Sequence, residues 1–254
     1  QNDVDAASAD ATLGVDAGRA LEYFNGTAWV AYGGGTVILP ASGELLVRTP
    51  VTNDSTYEGA ETLQLKASNS SGTASYGTAT ILDDGTGNIY PDNTTGNPDP
   101  DATRDDDRAV KVNSVEVNEA SPYAVFTVTA TAGQSVSLAL QNDSDPATAN
   151  ATLGTDAGTS LEYFNGAAWV AYAGGTVTLP ASGQLLVRNT LTNDGTYEGA
   201  ETYQLQATPS GGTASVGTAT ILDDGTGSVY PNNNTGNPDP SALLDDDRAV
   251  QVND

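Results

Sequence analysis

An internal repeat of domain size constrains what this chain can fold into. Residues 1–114 align with residues 141–254 without a gap, and 84 of the 114 aligned positions are identical. The period of 140 residues is far longer than the roughly 20–50 residues of solenoid repeats. We therefore expect two similar modules that follow one another in the chain, each the size of an ordinary domain.

The second copy contains an opening segment that the first copy lacks. Residues 115–140, VEVNEASPYAVFTVTATAGQSVSLAL, have no counterpart, since that counterpart would fall before Gln1. Gln1 in place of an initiating Met indicates a processed chain or a fragment. Two explanations remain open. Either the polypeptide continues upstream, which we favour, or a neighbouring molecule donates the missing strands to an open sheet edge.

Hydrophobic periodicity predicts β-strands along the whole chain. Apolar residues alternate with polar or small ones in 123–130, 136–140 and 203–207, a period of two that is typical of strands. Asn25-Gly26 and Asn165-Gly166 predict two-residue type I′ hairpins, which would pair Glu22 with Trp29. No window has helical spacing. Several short strands between turn signals favour a two-sheet β-sandwich for each module.

The segments that follow each module differ in composition. Residues 86–107 and 226–247 are rich in Gly, Asn, Pro, Asp and Thr, which predicts extended linkers. The expected organisation is an incomplete β-sandwich without its first strands at 1–85, an acidic linker at 86–107, a complete β-sandwich at 108–225, and a linker with the start of the next repeat at 226–254.

Composition excludes much catalytic chemistry. The chain has 33 acidic and 8 basic residues, a formal net charge of -25, and no His or Cys. It therefore lacks the residues for a Ser-His-Asp triad, a cysteine nucleophile, a thiolate zinc site or an iron-sulfur cluster. Such a negative surface also repels nucleic acid. What remains is hard-cation binding or a hydrolase with paired acids. Two small sandwiches give no sign of a cleft, so we expect no enzyme activity.

Three sequence runs resemble the Calx-beta domain. They are VNEASPYAVFTVT (117–129), TNDGTYEGAETYQL (192–205) and GTATILDDG (217–225). The resemblance implies tandem immunoglobulin-like, all-β sandwiches of the kind repeated in large bacterial surface and secreted proteins. It also implies that acidic residues at one end of each sandwich bind Ca²⁺. Carried over to this sequence, the metal ligands would be Glu119, Asp194, Glu198, Asp223 and Asp224 in the second module, with Asp54, Glu58, Asp83 and Asp84 in the first.

Other acidic and aromatic residues allow two interpretations each. Asp105, Asp106 and Asp107 form either a solvated charge run or a junction site where Ca²⁺ ties the linker to a sandwich, and Asp245 to Asp247 repeat this pattern. Trp29 and Trp169 indicate half-buried packing on a hairpin, which we favour over a sugar-stacking platform.

These features together predict an extracellular, bacterial structural protein. The leading hypothesis is a calcium-stabilised spacer or filament subunit of an adhesin or surface fibre, whose partners are neighbouring repeats or identical subunits, with strand donation as a variant. The rival is an adhesion module that binds a cell-surface glycan or protein through its aromatic hairpin. Neither hypothesis involves nucleic acid, and no apolar run is long enough to span a membrane.

Overall fold

The computed structural model describes residues 9–143, 145 and 148–250. Two compact units lie within residues 1–107, called unit 1, and residues 108–254, called unit 2. The described part of the chain contains strands and no helix, so none of it could cross a membrane as a helix. The prediction of an all-β fold is confirmed.

The strands of unit 1 are short except for two. They are β1 (Ala9–Asp10), β2 (Glu22–Phe24), β3 (Trp29–Ala31), β4 (Val47–Arg48), β5 (Glu61–Ser68) and β6 (Ala74–Ile81). Those of unit 2 are β7 (Lys111–Val112), β8 (Val115–Asn118), β9 (Tyr123–Thr129), β10 (Ser135–Asn142), β11 (Ala149–Asn150), β12 (Glu162–Phe164), β13 (Trp169–Ala171), β14 (Val177–Thr178), β15 (Gln184–Thr190), β16 (Glu201–Pro209) and β17 (Ser215–Leu222).

Unit 2 is a sandwich of two sheets. One sheet has the order β14-β10-β16-β17-β8, with β11 also paired to β16, and the other has the order β13-β12-β15-β9-β7. The two faces that meet carry the alternating apolar residues, as period-two patterning requires. Phe126 of β9 and Tyr203 of β16 are fully buried and meet edge to face, with ring centroids 6.2 Å apart. This contact joins the two sheets at the centre of the core.

The Tyr203 hydroxyl supplies a polar contact inside this core. It donates a hydrogen bond of 2.6 Å to Oδ1 of Asn189, which is also buried. We expect Tyr203→Phe to lower the free energy of unfolding of unit 2 by about 1–2 kcal/mol, because the amide oxygen loses its donor away from water. Chemical denaturation monitored by fluorescence measures this. The control is Tyr197→Phe, since Tyr197 is 51% exposed; an equal loss in both variants would contradict the assignment.

Unit 1 has fewer strands in the same arrangement. Its sheets have the orders β1-β5-β6 and β3-β2-β4, which correspond to β11-β16-β17 and β13-β12-β15 of unit 2. Residues 37–38 match β14 in sequence but form no strand, and β4 has two residues where β15 has seven. Strands exist only when they have ladder partners. Unit 1 lacks counterparts of β8, β9 and β10 among its described residues, which explains both differences.

The predicted type I′ hairpins were wrong in their register. Glu22 pairs with Ala31 and Phe24 with Trp29, leaving a four-residue loop. No non-glycine residue among those described has a positive φ, whereas a type I′ turn requires one at Asn25. Instead, Oδ1 of Asn25 accepts hydrogen bonds from the backbone of Thr27 and Ala28, both 2.9 Å long. The same side-chain contacts occur at Asn165.

The Pro- and Asp-rich segments 86–107 and 226–247 lie against the units that precede them in the chain. In unit 2, Ser228 and Tyr230 form bridges with Val117 and Tyr123, and Val229 is buried. The indole N–H of Trp169 donates to the carbonyl of Asn233 over 2.6 Å, and Trp29 makes the same contact with Asn93 in unit 1. These contacts bring the acidic ends of both segments back to the sandwich.

Candidate metal centre

Acidic side chains from separate parts of the chain meet at one end of unit 2. Each occupies the end of a strand or a loop beside it. Glu119 follows β8, Asp223 follows β17, and Glu201 begins β16. The others lie in loops or in the C-terminal segment, and they are Asp156, Asp194, Glu198, Asp245 and Asp247. We call this set the acidic pole of unit 2.

Within the pole, carboxylates form two groups of three. Glu119, Asp245 and Asp247 each offer an oxygen within 4.8 Å of the others, and the same holds for Asp156, Glu198 and Glu201. Carboxylates this close repel one another by about 1 kcal/mol per pair even in water. Neither group contains a basic residue. Each therefore has the oxygen donors and the negative charge that a hard divalent cation prefers.

Asp223 is 2% exposed, and its negative charge acts on members of both groups, including Glu119 and Glu201. Its Oδ2 accepts hydrogen bonds from the backbone of Glu198, at 2.6 Å, and Gly199, at 3.2 Å. Its carbonyl accepts one from the backbone N–H of Asp247 at 2.9 Å. These bonds fix the carboxylate and hold the loop before β16 and the C-terminal segment on either side of it. Its second oxygen, Oδ1, is buried without a partner among the described residues.

Buried carboxylate oxygens without a hydrogen-bond donor occur, among the described residues, at the acidic pole of unit 2 and at the matching positions of unit 1. Among the described residues, buried side-chain oxygens without a hydrogen bond belong to Asp16, Asp83, Asp105, Asp107, Asp223, Asp245 and Asp247. A buried, unsatisfied carboxylate oxygen is unfavourable by several kcal/mol unless a cation or donor compensates it. An ionised carboxylate oxygen only accepts, so a cation or a proton would satisfy these oxygens; Asp105 with Asp107, and Asp245 with Asp247, lie close enough to share a proton in a hydrogen bond. The donor set fits a calcium ion.

Burial and mutual repulsion raise several carboxyl pKa values. Burial raises the pKa of Glu201 to about 7, and the carboxylates of Asp156 and Glu198 add to the effect. The pKa of Glu119 is also raised, chiefly by burial, although the backbone N–H of Asp194, which donates to Oε1 over 3.0 Å, acts in the opposite direction. In unit 1, burial and the neighbouring Asp105 raise the pKa of Asp107 to about 6.

These pKa values predict how stability depends on pH without metal. Since the folded pKa of Glu201 exceeds its ordinary value of 4.5, the folded protein holds this proton more tightly than the unfolded chain, and stability is lost as pH rises from about 4.5 through about 7. We expect the unfolding midpoint in EDTA to fall over this range. Glu201→Gln should flatten the decline, which differential scanning fluorimetry across pH would measure; an unchanged slope would contradict it.

Unit 1 has one of the two groups in full. Asp16, Glu58 and Glu61 correspond to Asp156, Glu198 and Glu201, and again offer oxygens within 4.8 Å of one another. Asp83 repeats the contacts of Asp223, since its Oδ2 accepts from the backbone of Glu58 at 2.7 Å. For the other group, the described residues of unit 1 contain Asp105 and Asp107 but no counterpart of Glu119.

The structure separates the acidic residues that the sequence suggested. Asp224 and Asp84 belong to none of the groups of three carboxylates, and Oδ1 of each accepts hydrogen bonds from Thr226 or Thr86, respectively. Asp106 is 3% exposed, and its Cβ and carboxylate lie beside Gly85. The remaining suggested residues lie at or beside the acidic pole of unit 2 or the matching acids of unit 1, which we call the acidic pole of unit 1. They are Glu119, Asp194, Glu198, Asp223, Asp54, Glu58, Asp83, Asp105 and Asp107.

Four further acids at the poles were not among the suggested residues. For Asp245 and Asp247 the sequence allowed either a solvated charge run or a Ca²⁺ junction site, and the structure groups both with Glu119. Asp156, Glu201 and their counterparts Asp16 and Glu61 were missed. Glu201 and Glu61 follow directly from the YEGA run, which was the available signal. Asp156 and Asp16 had none, because only the fold brings their loop to the pole.

Comparison with known proteins finds only distant structural matches. No protein-family model and no curated protein matches the chain. Among solved structures, the apo form of the Calx CBD1 domain is 19% identical with a TM-score of 0.32, and the match covers 45% of this chain and 97% of that one. CBD12 from CALX1.2 is 20% identical, also with a TM-score of 0.32. The match covers 45% of this chain and 45% of that one. The sandwich assignment rests on the strands and sheets described above.

Proposed function

We propose that this chain is a structural repeat whose acidic poles bind Ca²⁺, and that it serves as a spacer or filament unit of an extracellular surface protein such as a bacterial adhesin. The observation that carries the proposal is Oδ1 of Asp223, a carboxylate oxygen that is buried, held in place by fixed hydrogen bonds, and left without a donor among the described residues. Such an oxygen, near both groups of carboxylates, is prepared for a cation.

The ligands of unit 2 would come from residues distant in sequence. Glu119, Asp245 and Asp247 would hold one ion, and Asp156, Glu198 and Glu201 another, with Asp223 available to both. Ca²⁺ takes about six to eight oxygens at flexible geometry, so carbonyls and water would complete each site. A bound ion replaces repulsion among these carboxylates with attraction. It would thereby fix the loop before β16, the end of β17 and the C-terminal segment to one another.

The role would be mechanical rather than catalytic. In each group one oxygen from each carboxylate lies within 4.8 Å of the others, close enough for a single hard cation to contact all three. Calcium at the poles would stiffen a string of repeats, and the net charge of -25 would keep neighbouring strings apart. Partners would be neighbouring repeats or identical subunits in a fibre.

The alternative of a glycan-binding hairpin has weaker support. One face of the Trp169 ring lies 4.2 Å from the guanidinium of Arg188, and its N–H is donated to Asn233. These contacts indicate a packing role. A glycan array would separate the hypotheses: specific sugar binding that Trp169→Ala abolishes, with folding intact by circular dichroism, would favour the alternative.

Isothermal titration calorimetry of the metal-free chain with Ca²⁺ tests the proposal directly. We expect saturable binding that Glu119→Gln and Asp247→Asn weaken by at least about tenfold, since each removes a charged ligand. Mg²⁺ should bind more weakly, because it requires a tighter octahedral shell. The matched control is Asp239→Asn, which removes one charge from the same C-terminal segment at an exposed Asx turn. Absence of Ca²⁺ binding at millimolar concentration would overturn the proposal.

A further inference from the structure

Unit 1 exposes a face whose counterpart in unit 2 is the core. Leu185, Val187 and Leu205 are at most 2% exposed, whereas Leu45, Val47 and Leu65 at the same repeat positions are only half-buried. The contrast is larger for Leu179, 3% exposed, and Leu39, 60% exposed. In unit 2, β9, β10 and β8 extend the two sheets beside β15, β16 and β17 and complete the sandwich. The described residues of unit 1 include no strand in their place.

We propose that this open face of unit 1 is a docking site for a further β-strand segment with the chemistry of residues 108–140. The register follows from unit 2. There β9 pairs with β15 so that Phe126 opposes Val187, and β10 pairs with β16 so that Leu140 opposes Leu205. By the repeat, the docked segment would add strands beside β4 and β5, and a parallel strand beside β6 as β8 does beside β17.

Gly77 in β6 leaves room for the backbone of such a segment. At Gly217 in β17, an added Cβ would lie 2.1 Å from the carbonyl oxygen of Asn113, so only glycine fits under that backbone. Its counterpart Gly77 has no described atom within 4 Å of the same position, and its φ is not positive. Glycine inside a strand is unfavourable by about 0.5–1 kcal/mol relative to alanine. A covering backbone accounts for Gly77, whereas the uncovered face does not.

Arg48, on the other sheet of unit 1, lacks one of the two aromatic contacts that its counterpart Arg188 makes. The guanidinium of Arg188 lies between two rings, 3.8 Å from Tyr123 of β9 and 4.2 Å from Trp169. The guanidinium of Arg48 stacks on one aromatic ring among the described residues, that of Trp29, at 4.2 Å. Its side chain is 31% exposed, against 5% for Arg188. The aromatic residue that would cover its second face is the counterpart of Tyr123, which the docked segment would carry.

The occupant is a separate copy of the segment, not the one in unit 2. Residues 108–140 of each chain are already held there by ladders with β15, β16 and β17. A second copy of the chain could donate its segment only by opening its own core, which buries Phe126 and Val128 completely. A segment that is not already part of a folded core breaks no such contacts when it docks.

The test is to supply the segment and measure hydrogen exchange in the full chain. A copy of residues 108–140 is placed directly before Gln1, because residue 141 aligns with residue 1. We expect amides of β5 and β6 to exchange at least about tenfold more slowly than in the unextended chain, as covered strands do. In the control extension, Asp replaces the two added residues that correspond to Phe126 and Val128. This control should restore fast exchange. Unchanged exchange with the unaltered extension would overturn the proposal.

Gly77→Ala provides a second readout that separates docking from general stabilisation. In the unextended chain this substitution should leave β6 exchange unchanged or slightly slower. In the extended chain it should speed exchange in β5 and β6 back toward the unextended values, because the new Cβ meets the docked backbone. Equal effects in both chains would overturn the proposed register. If the extended chain aggregates, a synthetic 108–140 peptide added to the unextended chain serves in its place, with the same expected protection.

Sedimentation of the unextended chain tests whether a second copy of the chain, and not a separate segment, fills the open face of unit 1. We expect a monomer at micromolar concentration with rapid exchange in β5 and β6. A dimer in which these strands become protected as concentration rises would show that a second copy fills the face, and it would overturn the proposal of a separate segment.

Discussion

Saturating Ca²⁺ is expected to raise the unfolding midpoint of unit 2 by about 5–15 °C, and Asp223→Asn to remove most of that increase. At about 100 times its dissociation constant, one bound ion stabilises the folded state by about 2.7 kcal/mol. Each kcal/mol corresponds to about 2–8 °C for domains of this size range. Asp223 adjoins both carboxylate groups, so its loss weakens both sites. Differential scanning calorimetry with Ca²⁺ and with EDTA measures the effect.

The same variant should have the opposite effect without metal. Oδ2 of Asp223 accepts hydrogen bonds from the backbone N–H groups of Glu198 and Gly199. The oxygen of the introduced amide would accept the same two bonds. The substitution would also remove a buried negative charge that raises the pKa of Glu119, Glu198 and Glu201. We therefore expect Asp223→Asn to be more stable than the unchanged chain in EDTA and less stable in Ca²⁺. A substitution that only disturbed packing would lower the midpoint in both conditions.

Asp224→Asn is the matched control for this experiment. It removes the same charge from the adjacent residue, but Oδ1 of Asp224 accepts a hydrogen bond from the backbone of Thr226 and lies outside both carboxylate groups. The calcium-dependent increase should persist in this variant. Equal losses in Asp223→Asn and Asp224→Asn would mean that the increase reflects general charge screening and not a site.

Strand patterning allowed the fold of unit 2 to be predicted with useful accuracy. The alternation in 123–130 corresponds to β9, Tyr123–Thr129, and that in 203–207 lies within β16. Period two can be seen in sequence because neighbouring side chains point to opposite faces. Hairpin register could not be predicted from the Asn-Gly pair, because the Asn25 side chain bonds to the loop backbone and replaces the type I′ conformation.

The sequence suggested part of the candidate site, including Glu119, Glu198 and Asp223, only through its resemblance to a known domain, because these residues lie far apart in the chain. Asp223 and Asp224 are adjacent, and sequence alone did not separate the buried one from the one facing Thr226. Asp156 reaches the pole through the loop after β11, and Asp247 through its backbone bond to the carbonyl of Asp223. Both placements depend on tertiary contacts between residues far apart in the chain. Polar composition gives no measure of such contacts.

Arg188→Ala is expected to destabilise unit 2 by about 2–4 kcal/mol, far more than the matched change in unit 1. The Arg188 side chain is 5% exposed, donates from Nε to Glu162 over 2.7 Å, and donates to Asn232 over 2.9 Å. Its guanidinium also fills the space between Tyr123 and Trp169. Removal leaves a cavity between two rings and takes the partner from Glu162, effects that together are typically worth several kcal/mol.

Arg48→Ala is the control that unit 1 offers. Arg48 makes the same 2.7 Å contact with Glu22, but its side chain is 31% exposed and it stacks on Trp29. Ion pairs this open to water contribute little to stability, because solvent screens the two charges. Hydrogen exchange resolved by segment assigns each loss to its own unit. Arg188→Lys should recover little stability, because an ammonium group cannot stack between two rings as a planar guanidinium does. Full recovery with Lys would show that charge alone stabilises this position, and equal losses in both alanine variants would show that the Tyr123 contact contributes nothing.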